Sequence, residues 1–115
     1  MTDRKIAMVT AAAGAGIGAA IARQLAEDGF EVVITDAHER RCGELAAELT
    51  KKYRREFVSL PLDVTDFEGV GIVVDEVIKK FKRLDILVNN AGWNKLEPIA
   101  EMSPETWSQC LNVDL

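Results

Sequence analysis

The sequence has few of the residues from which metal and disulfide sites are built. Its 115 residues include two cysteines and one histidine. Cys42 and Cys110 lack the Cys-x-x-Cys spacing, so the sequence predicts neither a disulfide framework nor a zinc site. This use of cysteine favours a reducing compartment, and we expect the cytoplasm.

Long apolar runs and basic clusters are also missing. No stretch is long enough to span a membrane, and the apolar segment before the first glycines is too short for a signal peptide. The net charge is −5, and the basic residues Lys51, Lys52, Arg54 and Arg55 lie between Glu48 and Glu56. Neither nucleic acid nor a membrane is therefore expected as a partner.

What is present is a regular alternation of strand and helix patterns. Hydrophobic residues make up 48% of the chain, enough for one domain over residues 1–115. The predicted strands are 6–9, 31–36, 57–62 and 85–89; the predicted helices are 17–27, 39–53, one beginning near Thr65 and one opening at Ser103-Pro104. This order predicts an α/β fold, a doubly wound parallel sheet with helices on both faces.

Two details of packing concern the first helix and the third strand. Ile17, Ile21 and Leu25 recur every four residues and mark the apolar side of the helix, and Gly29 follows as a C-cap. Pro61 lacks an amide donor, which argues for a strand end or a sheet edge, so the third strand is expected to be peripheral.

The third helix carries a start signal and a long apolar stripe. Thr65 and Glu68 are spaced as a capping box. Six apolar residues are expected to be buried in this helix: Val70, Val73, Val74, Val77, Ile78 and Phe81. The fourth strand, 85–89, is predicted to be buried.

A glycine-rich loop follows the first strand. Gly14, Gly16 and Gly18 carry no Cβ, so backbone N–H groups can approach a pyrophosphate, and the following helix presents its positive end to the anion. In such sheets ligands bind beyond the carboxyl ends of the strands, where strand order reverses. A plain tight turn is the alternative.

Asp36 ends the second strand, twenty residues after Gly16. At that spacing a carboxylate accepts hydrogen bonds from adenosine ribose hydroxyls and repels a 2′-phosphate, which favours NAD over NADP. Arg40 and Arg41 are near enough to keep NADP as an alternative cofactor. The alternative structural role of Asp36 is to cap the next helix.

Two further segments follow the third and fourth strands. The Asp63 carboxylate can accept from an adenine amino group beside an apolar wall at Val64, although Asp63 to Asp66 is also an ordinary helix start. Asn89-Asn90-Ala91-Gly92 suits a loop that braces its own backbone while a flat ring approaches, and a simple turn is the alternative.

Together these motifs resemble the short-chain dehydrogenase/reductase family over the whole chain, with Gly16-Ile17-Gly18 and Asn89-Asn90-Ala91-Gly92 the most specific parts. The resemblance implies a Rossmann fold, NAD(H) or NADP(H), and hydride transfer at an alcohol or ketone carbon. It places Asp36 on the ribose and Asn112 at the family's catalytic asparagine, which holds a water in the proton relay. The remaining implied contacts are Gly14, Gly16, Ile17 and Gly18 on the pyrophosphate, Asp63 and Val64 on the adenine, and Asn90, Ala91 and Gly92 along the nicotinamide.

Two features depart from the family pattern. Thr10-Ala11 replaces the usual Thr-Gly, with one extra residue before Gly16. The family's Tyr-x-x-x-Lys pair is not in these 115 residues, since the one tyrosine, Tyr53, is followed four residues later by Phe57. We expect the chain alone to bind the cofactor without turnover. We also expect the exposed edge at the fourth strand to lead to association, as a homo-oligomer, or to partial disorder.

Two other functions compete with that interpretation. One is a truncated, non-catalytic NAD-binding module. The other is a Rossmann-like S-adenosylmethionine methyltransferase, although those enzymes usually carry an acid where this chain has Thr10.

Overall fold

The computed structural model describes residues 4–12, 16–91 and 103–114. Strands and helices alternate along them, as the sequence predicts. The elements are β1 (Ile6–Val9), α1 (Ile17–Glu27), β2 (Glu31–Asp36), α2 (Glu39–Tyr53), β3 (Val58–Pro61), α3 (Phe67–Phe81), β4 (Ile86–Val88) and α4 (Pro104–Asp114). In this part of the chain, no helix is long and apolar enough to cross a membrane.

The strands form one parallel sheet in the order β3-β2-β1-β4. Ile6 is in register with Glu31 of β2, and Ala7 with Ile86 of β4. The chain leaves β1 on one side to build β2 and β3 and then returns to the other side for β4. The strand order therefore reverses beside β1, and in the part of the sheet that is described β3 is peripheral, as predicted from Pro61.

Successive side chains of the central strands face opposite sides of the sheet. Val9 packs in a cluster with residues of α1 and α2, whereas Met8 packs with Val73 and Val77 of α3. Helices thus cover both faces, and the predicted doubly wound α/β fold is confirmed.

The inward face of α1 differs from the predicted one. Ala19, Ala22 and Ala26 are buried, whereas Ile17 is 75% exposed and Ile21 is only partly covered. Small side chains let the helix axis approach the sheet closely, and larger ones are displaced to its flanks. The prediction is therefore wrong for Ile17, whereas Ile21 and Leu25 pack against the core cluster as expected.

The end of α1 is as predicted. Gly29 has a φ of +93°, and its N–H donates to Ala26 O over 3.1 Å while the N–H of Phe30 donates to Leu25 O over 3.1 Å. This pair of bonds is the Schellman arrangement, which requires a left-handed residue that glycine supplies without strain.

The start of α3 and the burial of β4 also differ from prediction. Asp66 caps α3, its Oδ1 accepting from the N–H of Gly69 over 3.1 Å, so the expected Thr65 and Glu68 capping box is wrong. Val73 and Val77 are buried as predicted, but Ile78 is 43% exposed. Leu87 in β4 is 49% exposed, because β4 is an edge strand in the part of the sheet that is described.

Candidate functional site

The loop after β1 is fixed by backbone contacts to its neighbours. Ala12 N donates to Thr35 O over 3.0 Å, and the buried hydroxyl of Thr35 donates to Val9 O over 2.8 Å. Ala11 has a φ of +51°, a left-handed conformation at the position where the family pattern has glycine. The chain therefore turns sharply away from the sheet immediately after β1. Gly14 of the predicted pyrophosphate contacts lies outside the described residues.

Gly16 and Gly18 stand at the start of α1, with different surroundings. Gly16 is the N-cap, and a Cβ there would meet no described atom within 4 Å. A Cβ on Gly18 would lie 2.5 Å from Ala11 O and closer still to Asn90 Nδ2. The side chain of Ile17 is exposed, and the first turn of α1 holds no acidic residue. Its unpaired N–H groups are thus available to an anion.

Asp36 lies at the carboxyl end of β2 and is largely buried. Its Oδ1 accepts from the N–H of His38 over 2.8 Å. His38, not Asp36, is the N-cap residue of α2, and the helix has no side-chain cap. The alternative role of Asp36 as a helix cap is therefore not observed.

Asp63 holds the turn after β3. Its Oδ1 accepts from the hydroxyl of Thr65 over 2.6 Å and from the N–H of Thr65 over 2.9 Å. The hydroxyl bond, more than the backbone bond, holds the pKa of Asp63 below its usual value, so the group is a carboxylate at neutral pH. Asp66, and not Asp63, is therefore the residue of this segment that starts α3.

Thr10 connects the ends of β1 and β4. Its Oγ1 accepts from the N–H groups of Asn90 and Ala91, over 2.9 and 3.0 Å, and donates to Val88 O over 3.3 Å. The side-chain amide of Asn90 donates to Ala11 O over 3.2 Å. The Asn-Asn-Ala-Gly loop was expected to hold its own backbone in place. Its Asn90 and Ala91 instead bond to Thr10 and Ala11, in the loop after β1. Gly92 lies outside the described residues.

A cavity of about 650 Å³ opens at this edge of the sheet. It brings together five of the predicted site residues: Asp36, Asp63, Val64, Ala91 and, from α4, Asn112. The lining residues that sequence reasoning missed are Ala11, Ala37, His38, Leu62, Thr65, Glu105, Ser108 and Gln109. The signal that points to the last three is helical spacing, since they and Asn112 lie on one face of α4.

The charges around this cavity are of one sign. Asp36, Asp63 and Glu105 line it, and no lysine or arginine is among its described lining residues. Arg40 is instead paired with Glu44 over 3.2 Å, and Arg41 lies in a separate groove between α1 and α2. Arg40 and Arg41, on which the alternative cofactor NADP depended, are therefore not among the residues that line the cavity.

Asn112 also lines a second cavity of about 330 Å³. Thr10 and Asn89, at the ends of β1 and β4, contribute polar groups to that cavity, and Met8 and Val70 contribute apolar ones. Asn112 therefore lies where the two spaces meet.

The chemically reactive side chains that remain lie elsewhere. Tyr53, at the C-terminal end of α2, donates to Glu27 over 2.7 Å. Cys42 is buried, its thiol donates to Ile34 O over 3.0 Å, and burial raises its pKa to about 11. In the described ranges no group of three His, Cys, Asp or Glu residues could hold a metal ion.

Known proteins resemble this chain over its whole length. A sequence model of the family described as short chain dehydrogenase matches residues 5–115. The chain is 44% identical over 115 residues to a (5R,7aS)-5-hydroxy-7a-methyl-1-oxo-2,3,5,6,7,7a-hexahydro-1H-indene-carboxyl-CoA reductase of Mycobacterium tuberculosis, covering 100% of this chain and 44% of the relative. It is 39% identical over 113 residues to a D-threitol dehydrogenase of Mycolicibacterium smegmatis, covering 98% of this chain and 43% of the relative.

Solved structures of proteins named as dehydrogenases also resemble this chain. A short chain dehydrogenase from Mycobacterium smegmatis superposes with a TM-score of 0.92 at 42% identity, over 97% of this chain and 46% of that one. An alcohol dehydrogenase from Thermococcus sibiricus, complexed with 5-hydroxy-NADP, gives 0.92 at 33% identity, over 98% and 48%. The chain spans less than half the length of these relatives. By sequence and by fold, this chain belongs to the short-chain dehydrogenase/reductase family.

Proposed function

We propose that this chain forms the cofactor-binding part of an oxidoreductase that transfers a hydride between NAD(H) and an alcohol or ketone. The observation that carries the proposal is the cavity at the carboxyl ends of the strands, which gathers Asp36, Asp63 and Asn112 beside Ala11 of the loop after β1. Ligands of open α/β sheets bind at this edge, where strand order reverses.

The glycine loop fits a pyrophosphate. The open space at Gly16 and the exposed first turn of α1 leave room for an anion beside N–H groups that have no partner within the helix. We assign the pyrophosphate contacts to Gly14, Gly16, Ile17 and Gly18.

The carboxylate of Asp36 favours NAD over NADP. It is positioned by the N–H of His38, and its oxygens can accept from ribose hydroxyls. A 2′-phosphate at the same place would meet like charge from Asp36, with no lysine or arginine among the described lining residues to offset it. We assign Asp63 and Val64 to the adenine, and Asn90, Ala91 and Gly92 to the nicotinamide side.

When bound, the nicotinamide supplies or accepts the hydride. What this chain contributes is binding, orientation and a polar group at Asn112, to which we assign the holding of a water in the proton relay. The acid that protonates the substrate oxygen must lie within hydrogen-bond reach of that oxygen. Tyr53 does not meet this requirement, because its hydroxyl is bonded to Glu27 away from the cavity.

The reductase and dehydrogenase activities in the names of the relatives support the alcohol or ketone class of substrate. The cytoplasmic location and the homo-oligomeric state stay predictions. Leu87, Trp107 and Leu111, each more than 40% exposed, are among the apolar side chains of the described residues that a second copy could cover.

Calorimetric titration of the protein expressed from its complete coding frame tests the proposal. NADH, NADPH and S-adenosylmethionine are titrated separately, and carbonyl reduction is assayed with NADH present. We expect NADH to bind more tightly than NADPH and S-adenosylmethionine not to bind. Tighter binding of S-adenosylmethionine would overturn the proposal, and NADH binding without reduction of any carbonyl would favour the non-catalytic module.

A further inference from the structure

The one histidine of these 115 residues lines the 650 Å³ cavity. His38 follows Asp36 by two residues, and its backbone N–H donates to Asp36 Oδ1 over 2.8 Å. That bond holds the backbone of His38 against the carboxylate to which the proposed function assigns the ribose hydroxyls. His38 and Asp36 therefore border the same part of the cavity wall.

The side chain of His38 is not used by the helix that it begins. His38 is exposed and is the N-cap residue of α2, yet its side chain makes no capping hydrogen bond. Within the described part of the chain, the imidazole has no hydrogen-bond partner. It is therefore available to a ligand in the cavity.

Among the described residues, the other charged groups of the wall are all acidic. They come from three elements: Asp36 from the end of β2, Asp63 from the turn after β3 and Glu105 from α4. A carboxylic acid ordinarily titrates near about pH 4, whereas an imidazole takes up its proton between about pH 8 and pH 5. His38 is thus the described lining residue that can become a cation.

The permanent cations that follow His38 on α2 do not share this wall. Arg40 pairs with Glu44 over 3.2 Å, and Arg41 lies in the groove between α1 and α2. Glu39, the first residue of α2, adds a negative charge. Among the described lining residues, a positive charge beside a 2′-phosphate would therefore have to come from protonated His38.

We propose that His38 makes the choice between NAD and NADP depend on pH. When the imidazole is neutral, the wall rejects a 2′-phosphate. When it is protonated, the imidazolium pairs with that phosphate and offsets the repulsion from Asp36, so the preference for NAD narrows as the pH falls. The inference rests on the proposed dinucleotide function, and it adds a second specificity-determining residue to Asp36.

The ratio of the dissociation constants of NADP and NAD, measured by calorimetry at pH 8 and at pH 6, tests this dependence. The protein is expressed from its complete coding frame. A phosphate monoester itself gains a proton near about pH 6, so the unaltered protein is compared with His38→Gln at each pH. We expect equal ratios in the two proteins at pH 8. At pH 6 the ratio should be about three- to fivefold lower in the unaltered protein, as expected for a charge pair that stays exposed to solvent.

Two further variants sharpen the comparison, and urea unfolding checks that each variant is folded. His38→Lys places a permanent cation at the same position and should lower the ratio at both pH values. Arg40→Gln removes a cation that is paired with Glu44 and does not line the cavity, so it should keep the pH dependence of the unaltered protein.

The outcomes are distinguishable. If the unaltered protein binds NAD but its ratio equals that of His38→Gln at both pH values, the role of His38 is refuted and the proposed function stands. If the unaltered protein binds neither dinucleotide, the proposed function fails and takes this inference with it.

Discussion

The side-chain amide of Asn90 donates to the carbonyl oxygen of Ala11 over 3.2 Å, and so joins two loops that are 79 residues apart in sequence. Gly18 stands beside this bond, with Ala11 O only 2.5 Å from the place that its Cβ would occupy. The missing side chain of Gly18 is therefore a condition for the contact between the two loops.

Gly18→Ala should destabilise the protein and weaken NADH binding. The added methyl overlaps Ala11 O, a backbone atom, and Asn90 Nδ2, so the loops must separate at a cost of about 1–3 kcal/mol. Urea unfolding and NADH titration check this. Gly43→Ala is the matched control, because a Cβ there meets nothing within 4 Å and alanine stabilises a helix interior by about 1 kcal/mol. Equal effects of the two substitutions would contradict the steric account.

Gly16→Ala should separate cofactor binding from folding. Its Cβ has open space among the described residues, and its φ of −88° suits alanine, so unfolding free energy should change by about 1 kcal/mol or less. The methyl would stand between the N–H groups of α1 and an approaching pyrophosphate, and NADH affinity should fall at least about tenfold. A stable variant with unchanged NADH affinity would remove Gly16 from the cofactor site.

Ala11→Gly should stabilise the protein. The left-handed conformation of Ala11 costs an alanine about 1–2 kcal/mol, which glycine would avoid. The greater freedom of glycine in the unfolded chain offsets only part of this stabilisation. We expect a net increase of about 0.5 kcal/mol in the unfolding free energy. Ala47→Gly, the same change on the exposed face of α2, should instead destabilise by about 1 kcal/mol. A loss at Ala11 would mean that the loop does not require a left-handed residue there.

Thr65→Val should reduce stability in a pH-dependent way. The bonds from Thr65 lower the pKa of Asp63 in the folded state, so their stabilisation is present above the unfolded pKa of about 3.9 and is lost as the pH falls through the folded pKa. The difference in urea midpoint between the two proteins should be larger at pH 6 than at pH 2. Thr50→Val provides the control, since among the described residues the Thr50 hydroxyl bonds the backbone of Ala46 and Phe57, and its effect should not depend on pH. A Thr65→Val effect that is equally large at pH 2 would refute the charge-linked explanation.

The fold was predictable because each strand and helix carries its own local pattern. The edge position of β3 followed from a single proline, Pro61, which cannot donate to a neighbouring strand. The exposure of Ile17 was missed because the contact of α1 with the sheet depends on how closely the helix approaches it, which favours the small side chains of Ala19 and Ala22. A periodicity of apolar residues carries no information about that distance.

The site was predictable where a residue sits at the end of a strand. Asp36 and Asp63 line one cavity because parallel strands end at one edge. Gln109 was missed because no motif marks it, although its spacing of three residues from Asn112 places both on one face of α4. Thr10 was noted only as part of a motif, since its role arises from bonds to residues 80 and 81 positions later.

The most direct test of the central claim is the ratio of the dissociation constants of NADPH and NADH, measured by calorimetry in the unaltered protein and in Asp36→Ala. The account predicts that the unaltered protein favours NADH, and that the substitution weakens NADH and reduces the preference by about 1–3 kcal/mol. Asp75→Ala, on the exposed side of α3, should leave the ratio unchanged. An unaltered protein that binds NADPH as tightly as NADH, or an Asp36→Ala variant with the same ratio, would contradict the account.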